Sequence, residues 1–128
     1  MTDTASPGTA ADPHAGLILE RMTITPAGKR LRAVFGGETV AESDAALVLA
    51  ETGYPPRIYF PPESLRMDLL TPTEHTSRCP WKGEAAYWTL TVGGETLENA
   101  AWAYPEPLAE LAAIKDYVSF YEAVTVEG

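Results

Sequence analysis

Apolar and polar residues alternate along much of the chain, and two of the alternating stretches break at the same tetrapeptide. Leu31, Ala33 and Phe35 lead into Gly36-Gly37-Glu38-Thr39, and Trp88, Leu90 and Val92 lead into Gly93-Gly94-Glu95-Thr96. A period of two is the mark of a strand with one buried face. Gly-Gly supplies the positive φ angles that a two-residue type I′ turn demands, so each tetrapeptide predicts a hairpin. Pairing outward from the first turn sets Phe35 against Glu38, Val34 against Thr39 and Ala33 against Val40. Leu31, Ala33, Phe35 and Val40 then share a core face. The second turn sets Val92 against Glu95, Leu90 against Leu97 and Trp88 against Asn99. Its apolar face carries Trp88, Leu90, Val92 and Leu97, and the other face mixes Tyr87, Thr89, Thr91, Thr96, Glu98 and Trp102. The repeated turn fits either a duplicated half-domain or the short menu of good hairpin turns, and four matching residues favour the second.

Further strands are expected at Ala45–Glu51, Arg57–Phe60 and Val118–Val126, with a short strand or turn in Leu17–Thr25. Pro107 opens a predicted helix over Leu108–Tyr117: proline suits a first helical position, Glu110 falls in the first turn, and Leu108, Leu111, Ile114 and Val118 form one stripe. The expected fold is α+β and mainly β, a single compact domain over residues 17–128 built as a twisted, rolled antiparallel sheet of hairpins with one C-terminal helix. Residues 1–16, MTDTASPGTAADPHAG, are small and polar and are expected to form a flexible tail.

Composition narrows the classes. The chain has 128 residues, 45% of them hydrophobic and 21% charged, enough apolar material for a real core. Its longest apolar run, Ala45 to Ala50, falls far short of the roughly 20 residues that cross a bilayer. Nine basic against 18 acidic residues give a net charge of −9. Such a surface repels phosphate backbones, so neither a nucleic acid nor a membrane is expected as a partner. The start of the chain lacks the basic end and apolar centre of a secretory signal, which leaves the cytoplasm as the expected compartment. One cysteine makes neither an internal disulfide nor a multi-cysteine zinc or iron–sulfur site.

One segment does not read as scaffold. Residues 61–84, PPESLRMDLLTPTEHTSRCPWKGE, carry Pro61, Pro62, Pro72 and Pro80, which forbid a long helix or a central strand. Leu65, Met67, Leu69, Leu70 and Trp81 argue against disorder, so a packed, functional loop is expected. From Arg57 to Lys82 the sequence holds four basic and three acidic residues, net +1; the remainder holds five and fifteen, net −10. The least acidic part of the chain therefore coincides with its least regular part, where a polar or anionic small molecule would be attracted. The alternative is that these cations pair with Glu63, Asp68 and Glu74 only to hold the loop together.

Cys79, the only thiol, lies four residues after His75, beside Arg78 and Lys82. Nearby cations favour a thiolate, and an imidazole can take and return its proton. Pro80 and Gly83 shape the chain around the sulfur. Against this, a single cysteine also serves as a small buried apolar side chain, and His75 as a brace for the loop. Lys82 acts as an imine-forming amine only if desolvated. A metal would find His75, Cys79 and one of Asp68 or Glu74, with no second pair to complete the set, so no metal is expected. Glu51 ends an apolar strand just before Thr52-Gly53 and is an acid/base candidate. Tyr59, Tyr87 and Trp102 stand where a strand presents its less apolar face to a cleft.

The segments VFGGETVAES, ETGYPPRIYFP, RMDLL, HTSRCPWKGEAAYW and AWAYPEPL, in this order, resemble a small bacterial family catalogued as domain of unknown function 427 and sometimes labelled a nucleotidyltransferase-type domain. The resemblance spans residues 30–121 and is most specific in His-Thr-x-x-Cys-Pro-x-Lys-Gly. Its pattern is met at Glu51, Tyr59, Arg66, Asp68, His75, Cys79, Lys82, Gly83, Tyr87, Trp88 and Trp102. It implies a compact, mainly β domain without a cofactor, and no assigned reaction. The closely spaced Asp-x-Asp pair and Gly-rich phosphate loop that phosphoryl transfer uses are not found in the sequence.

Two functions follow as expectations. The first is a cofactor-independent enzyme acting on a polar or anionic small molecule, with Cys79, His75, Lys82 and Glu51 catalytic and Arg66, Tyr59, Asp68, Tyr87 and Trp102 holding the substrate. The second is a binding or accessory module that uses the same pocket for a small molecule or peptide without turnover.

Overall fold

The computed structural model describes residues 22–79 and 82–128. The proposed tail, residues 17–21, His14, Pro80 and Trp81 lie outside the described residues. The chain is mainly β, and the described residues form ten strands in three antiparallel sheets: β1 (Met22–Pro26), β2 (Leu31–Phe35), β3 (Glu38–Ser43), β4 (Leu47–Glu51), β5 (Arg57–Tyr59), β6 (Leu70–Cys79), β7 (Gly83–Val92), β8 (Glu95–Ala103), β9 (Val118–Phe120) and β10 (Thr125–Glu127). The sheets run β1-β4-β5, β10-β2-β3 and β6-β7-β8-β9. Among the described residues no helix is long and apolar enough to cross a membrane.

Phe60 and Val118 exchange two backbone hydrogen bonds of 2.8 Å, which joins the edge of β5 to the edge of β9. The first and third sheets thereby form one surface in the order β1-β4-β5-β9-β8-β7-β6. Along that surface successive residues face opposite sides. Phe60 joins the main core with Leu31, Val40, Leu90, Val118 and Phe120, its ring edge-on to Phe120 with centroids 6.0 Å apart. Its neighbour Tyr59 points the other way, into a second cluster with Met22, Leu49, Ala85, Tyr104, Leu111 and Ile114. That second cluster is the floor of the cleft described below.

Both Gly-Gly hairpins form, with the expected pairs next to each turn: Phe35 with Glu38 and Val34 with Thr39, and Val92 with Glu95 and Leu90 with Leu97. Gly36 and Gly37 take φ of 61° and 82°, as a type I′ turn requires. In the second turn only Gly93 is positive, at 60°, which is the pattern of a type II′ turn rather than a second I′. Further from the turns the registers depart from simple pairing. Ala33 meets Ala41 instead of Val40, and Trp88 meets Ala101 instead of Asn99. The cause in both is a β-bulge, which adds residues to one strand and bends it. At the second bulge Asn99 takes a φ of 54°, a left-handed conformation that asparagine tolerates.

Three other expectations change. The loop over residues 61–84 instead holds two single-turn 3₁₀ segments, Pro62–Ser64 and Met67–Leu69, and the ten-residue strand β6. Pro72 is compatible with this because, among the described residues, β6 is an edge strand pairing with β7 alone, so Pro72 removes no donor that a second neighbour would need. The predicted helix over Leu108–Tyr117 is replaced by a 3₁₀ segment, Ala109–Ile114, interrupted at Leu111 (φ −114°, ψ 22°). Its buried residues, Leu111 and Ile114, are three apart, the spacing that a 3₁₀ turn stacks on one face. The predicted strand Val118–Val126 divides into β9 and β10, which belong to different sheets.

Candidate functional site

A cleft of about 670 Å³ opens on the concave side of the joined surface. β4 contributes Leu49 and Glu51, β5 Arg57 and Tyr59, β6 His75, Arg78 and Cys79, β7 Tyr87, and β8 Asn99 and Trp102. Tyr104 and Lys82 complete its inner wall, with Tyr54, Pro55 and Tyr121 at the mouth. β4 and β6 stand far apart in the strand order, yet the Lys82 Nζ lies 3.0 Å from Glu51 Oε1. The surface must bend for that contact to form, and the ion pair spans the cleft between the two sheets.

Local chemistry places Lys82 and Cys79. Cys79 pairs with Gly83 at the closed end of the β6–β7 hairpin, and the Lys82 N–H donates to the Cys79 carbonyl at 3.2 Å. Gly83 has a φ of 112°, and a Cβ there would stand 3.1 Å from the Glu106 carbonyl oxygen. Only glycine lets the hairpin end approach the 105–107 segment so closely. The Leu108 N–H then donates to the Lys82 carbonyl at 3.3 Å and fixes the segment from that side.

The walls are aromatic. Tyr87 and Trp102 are cross-strand partners with centroids 6.3 Å apart, and His75 meets Tyr87 edge-on at 4.5 Å. The Tyr87 hydroxyl is hydrogen-bonded to Ser77 Oγ at 2.8 Å, and Arg57 Cζ sits 5.4 Å from the centre of the Trp102 ring. Bulges on either side of β7 interlock above this wall: Thr73 Oγ1 donates to Asn99 Oδ1 at 2.8 Å, and the Asn99 N–H donates to Thr89 Oγ1 at 3.3 Å.

Burial pushes the Tyr59 hydroxyl up to about 12, against the Trp102 indole hydrogen bond and the Arg57 charge, which pull it down. Tyr104 is likewise held well above the ordinary phenol range, chiefly by burial, with Tyr59 and Cys79 adding to the effect. Both phenols stay protonated at neutral pH. They offer hydrogen bonds, not negative charge.

Of the residues singled out from the sequence, Cys79, His75, Lys82, Glu51, Tyr59, Tyr87 and Trp102 all line this one cleft. Arg66 and Asp68 do not. Arg66 caps and Asp68 lies within the solvent-facing 3₁₀ turn Met67–Leu69, and they pair with each other through hydrogen bonds of 3.0 and 2.9 Å. The Arg66 guanidinium holds the Asp68 carboxyl below its ordinary value, and both side chains are spent on that local pair. Among the described residues no group of three His, Cys, Asp or Glu side chains could hold a metal ion. Trp88, next to Tyr87 on β7, faces the other way, into a separate groove of about 280 Å³ with Leu65, Met67 and Val118.

Sequence reading placed Arg57 and Arg78 in the least acidic stretch, Arg78 beside Cys79, without assigning either a ligand role, and missed Asn99 and Tyr104. Tyr104 had a signal, since it shares the alternation of Trp102. Arg57 had only its charge as a signal: its place over Trp102 depends on β5 lying beside β9 and β9 beside β8.

With Arg57, Arg78 and Lys82 against Glu51, the lining carries a net charge of +2, three minus one, in a chain whose total is −9. A family model described as a domain of unknown function (DUF427), with the short label NTP_transf_9, matches residues 23–128. No curated protein matches the chain.

Proposed function

The chain belongs to the DUF427 family, whose description assigns no reaction, and we propose that it is a cofactor-independent enzyme acting on a polar or anionic small molecule in the curled-sheet cleft. The observation that carries this reading is the convergence of a thiol, an imidazole, an ion-paired ammonium and two further guanidiniums on one aromatic cavity. A volume of about 670 Å³ suits a metabolite-sized ligand.

In this reading Cys79 is the nucleophile or proton donor, while His75, four residues back along the same extended strand and so about 13 Å away between Cα atoms, meets the substrate beside Tyr87 and does not touch the thiol. Lys82, held by Glu51, and the guanidiniums of Arg57 and Arg78 stabilise negative charge on the substrate and as it develops. Tyr59, protonated up to about pH 12, donates a hydrogen bond at the floor. The cleft's positive lining inside an acidic protein draws anions to this opening and repels them elsewhere.

Mass spectrometry of the intact protein, incubated with carboxylate-bearing aryl esters, tests the chemistry. The expected result is an acyl adduct on Cys79 that forms as the aryl alcohol leaves, is released by hydrolysis and is lost in Cys79→Ala. A second reading, a binding module without turnover, is favoured by one feature: Lys82 is engaged by Glu51 and not left as a free amine. It would be adopted if ligand came back unchanged and Cys79→Ala bound it equally well.

A further inference from the structure

Arg57 and Arg78 both line the cleft, Arg78 from the free edge of β6, where it also lines a second groove beside Thr76 and Glu84, and among the described residues neither is in an ion pair. Lys82 is already matched by Glu51 at 3.0 Å, so the surplus of +2 belongs to these two guanidiniums. They stand on different rims. Arg57 is on β5 and Arg78 on β6, with β9, β8 and β7 between them in the joined surface. Four strand spacings amount to about 19 Å measured along the sheet, shortened by its curl. Arg57 lies over Trp102 at 5.4 Å, which occupies its flat face and leaves its N–H edge for a ligand. That edge is a fork that fits a carboxylate in two parallel hydrogen bonds. Between the rims runs an aromatic path, Trp102 to Tyr87 at 6.3 Å and Tyr87 to His75 at 4.5 Å. A phosphate would ask for donors that converge on one point, whereas these two are separated by an apolar middle.

We propose that the ligand of this cleft is an elongated dianion with a carboxylate at each end, one held by Arg57 and the other by Arg78, its apolar body lying along Tyr87. This rests on reading the cleft as the ligand site and names the class of molecule that enters it. The two charges of the ligand cancel the surplus of the lining, and the spacing of the rims selects its length.

Isothermal titration of the full-length protein with straight-chain dicarboxylates from succinate to azelate, with hexanoate as the one-ended control and with inorganic phosphate, is the test. Affinity is expected to peak at one chain length, about tenfold or more above hexanoate, as a second charge-assisted pair would give. Arg57→Gln and Arg78→Gln should each reduce the best dicarboxylate to the level of hexanoate, with Arg57→Lys in between. An affinity that does not vary with length, or phosphate binding as tightly as the best dicarboxylate, overturns the two-ended ligand. Failure of every carboxylate to bind overturns it as well. The Cys79 adduct experiment reads the catalytic proposal separately, so a one-ended ligand that still acylates Cys79 would leave the enzyme reading in place and remove this one.

Discussion

The ammonium of Lys82 lies 3.0 Å from the carboxylate of Glu51, with side-chain exposures of only 13% and 11%, although Glu51 ends β4 and Lys82 lies between β6 and β7, far from β4 in the joined strand order. A surface ion pair would add little to stability. This one is largely withdrawn from water and spans the cleft between the two sheets, so it bears on both stability and the shape of the cleft.

Glu51→Gln keeps the shape of the side chain and removes its charge, leaving Lys82 half-buried without its anion. The cost should fall between that of an exposed pair and that of a fully buried one, about 2 kcal/mol. Urea unfolding midpoints are the measurement. The double variant with Lys82→Met should lose less than the sum of the two single losses, because neither charge then remains stranded. Strict additivity would mean that the two residues are not coupled.

Much of this architecture is legible in the sequence, and the illegible parts share a cause. Turn chemistry is local, so Gly36-Gly37 and Gly93-Gly94 announce their hairpins and fix the pairs beside them. The bulges are not local: Asn99 leaves simple register because Thr73, from another strand, and Thr89 hydrogen-bond to it. β6 hides because both its faces are polar, His75, Ser77 and Cys79 on one and Glu74, Thr76 and Arg78 on the other. Its extended form comes from pairing with β7 rather than from its own pattern. Arg66 and Asp68 stood out by charge and by resemblance, but two residues apart around a 3₁₀ turn they satisfy each other. Arg57 enters the site only through tertiary placement.

Gly83→Ala should disturb the site through the backbone. Its φ of 112° is strained for any residue with a Cβ, and the new methyl would press on the Glu106 carbonyl at 3.1 Å. Strain of this kind costs about 1–3 kcal/mol. A fall in Tm of about 5 °C or more is expected in differential scanning calorimetry. The same variant should alter alkylation of Cys79, which pairs directly with Gly83. An unchanged Tm would show that the hairpin end does not depend on glycine.

Tyr59 sets a limit on alkaline stability. Its folded pKa is about 12 against an ordinary 10.0, so between these values the unfolded chain releases a proton that the folded one retains. Stability from this group is fully present below pH 10 and is lost as pH rises towards 12. Two units correspond to roughly 3 kcal/mol. Tyr59→Phe should cost about 1 kcal/mol at pH 8, since the Trp102 indole loses its acceptor, and should make the alkaline fall shallower. Tyr104, raised in the same direction, retains part of the fall. Urea midpoints at pH 8 and 11.5 in both proteins would show it, and identical slopes would refute the assignment to Tyr59.

Cys79 reports on the field inside the cleft. It is half-buried against the second cluster and lines the same cavity as Arg57, Arg78 and Lys82. Iodoacetate and iodoacetamide alkylate a thiolate by the same displacement and differ chiefly in charge, so their rate ratio measures local attraction for an anion. The protein as a whole carries −9 and would repel iodoacetate if its net charge governed the encounter. With the cleft's cations governing, the iodoacetate to iodoacetamide ratio at Cys79 should exceed that of a free thiol such as glutathione by about tenfold at low salt, and shrink as salt screens the field. Arg57→Gln and Arg78→Gln should each lower the ratio, while Arg66→Gln, on the solvent-facing turn, should leave it unchanged. Peptide mapping assigns the label to Cys79, the chain's one thiol. A ratio at or below that of glutathione would mean that the acidic exterior dominates the approach to the sulfur. It would also remove the electrostatic ground for an anionic substrate.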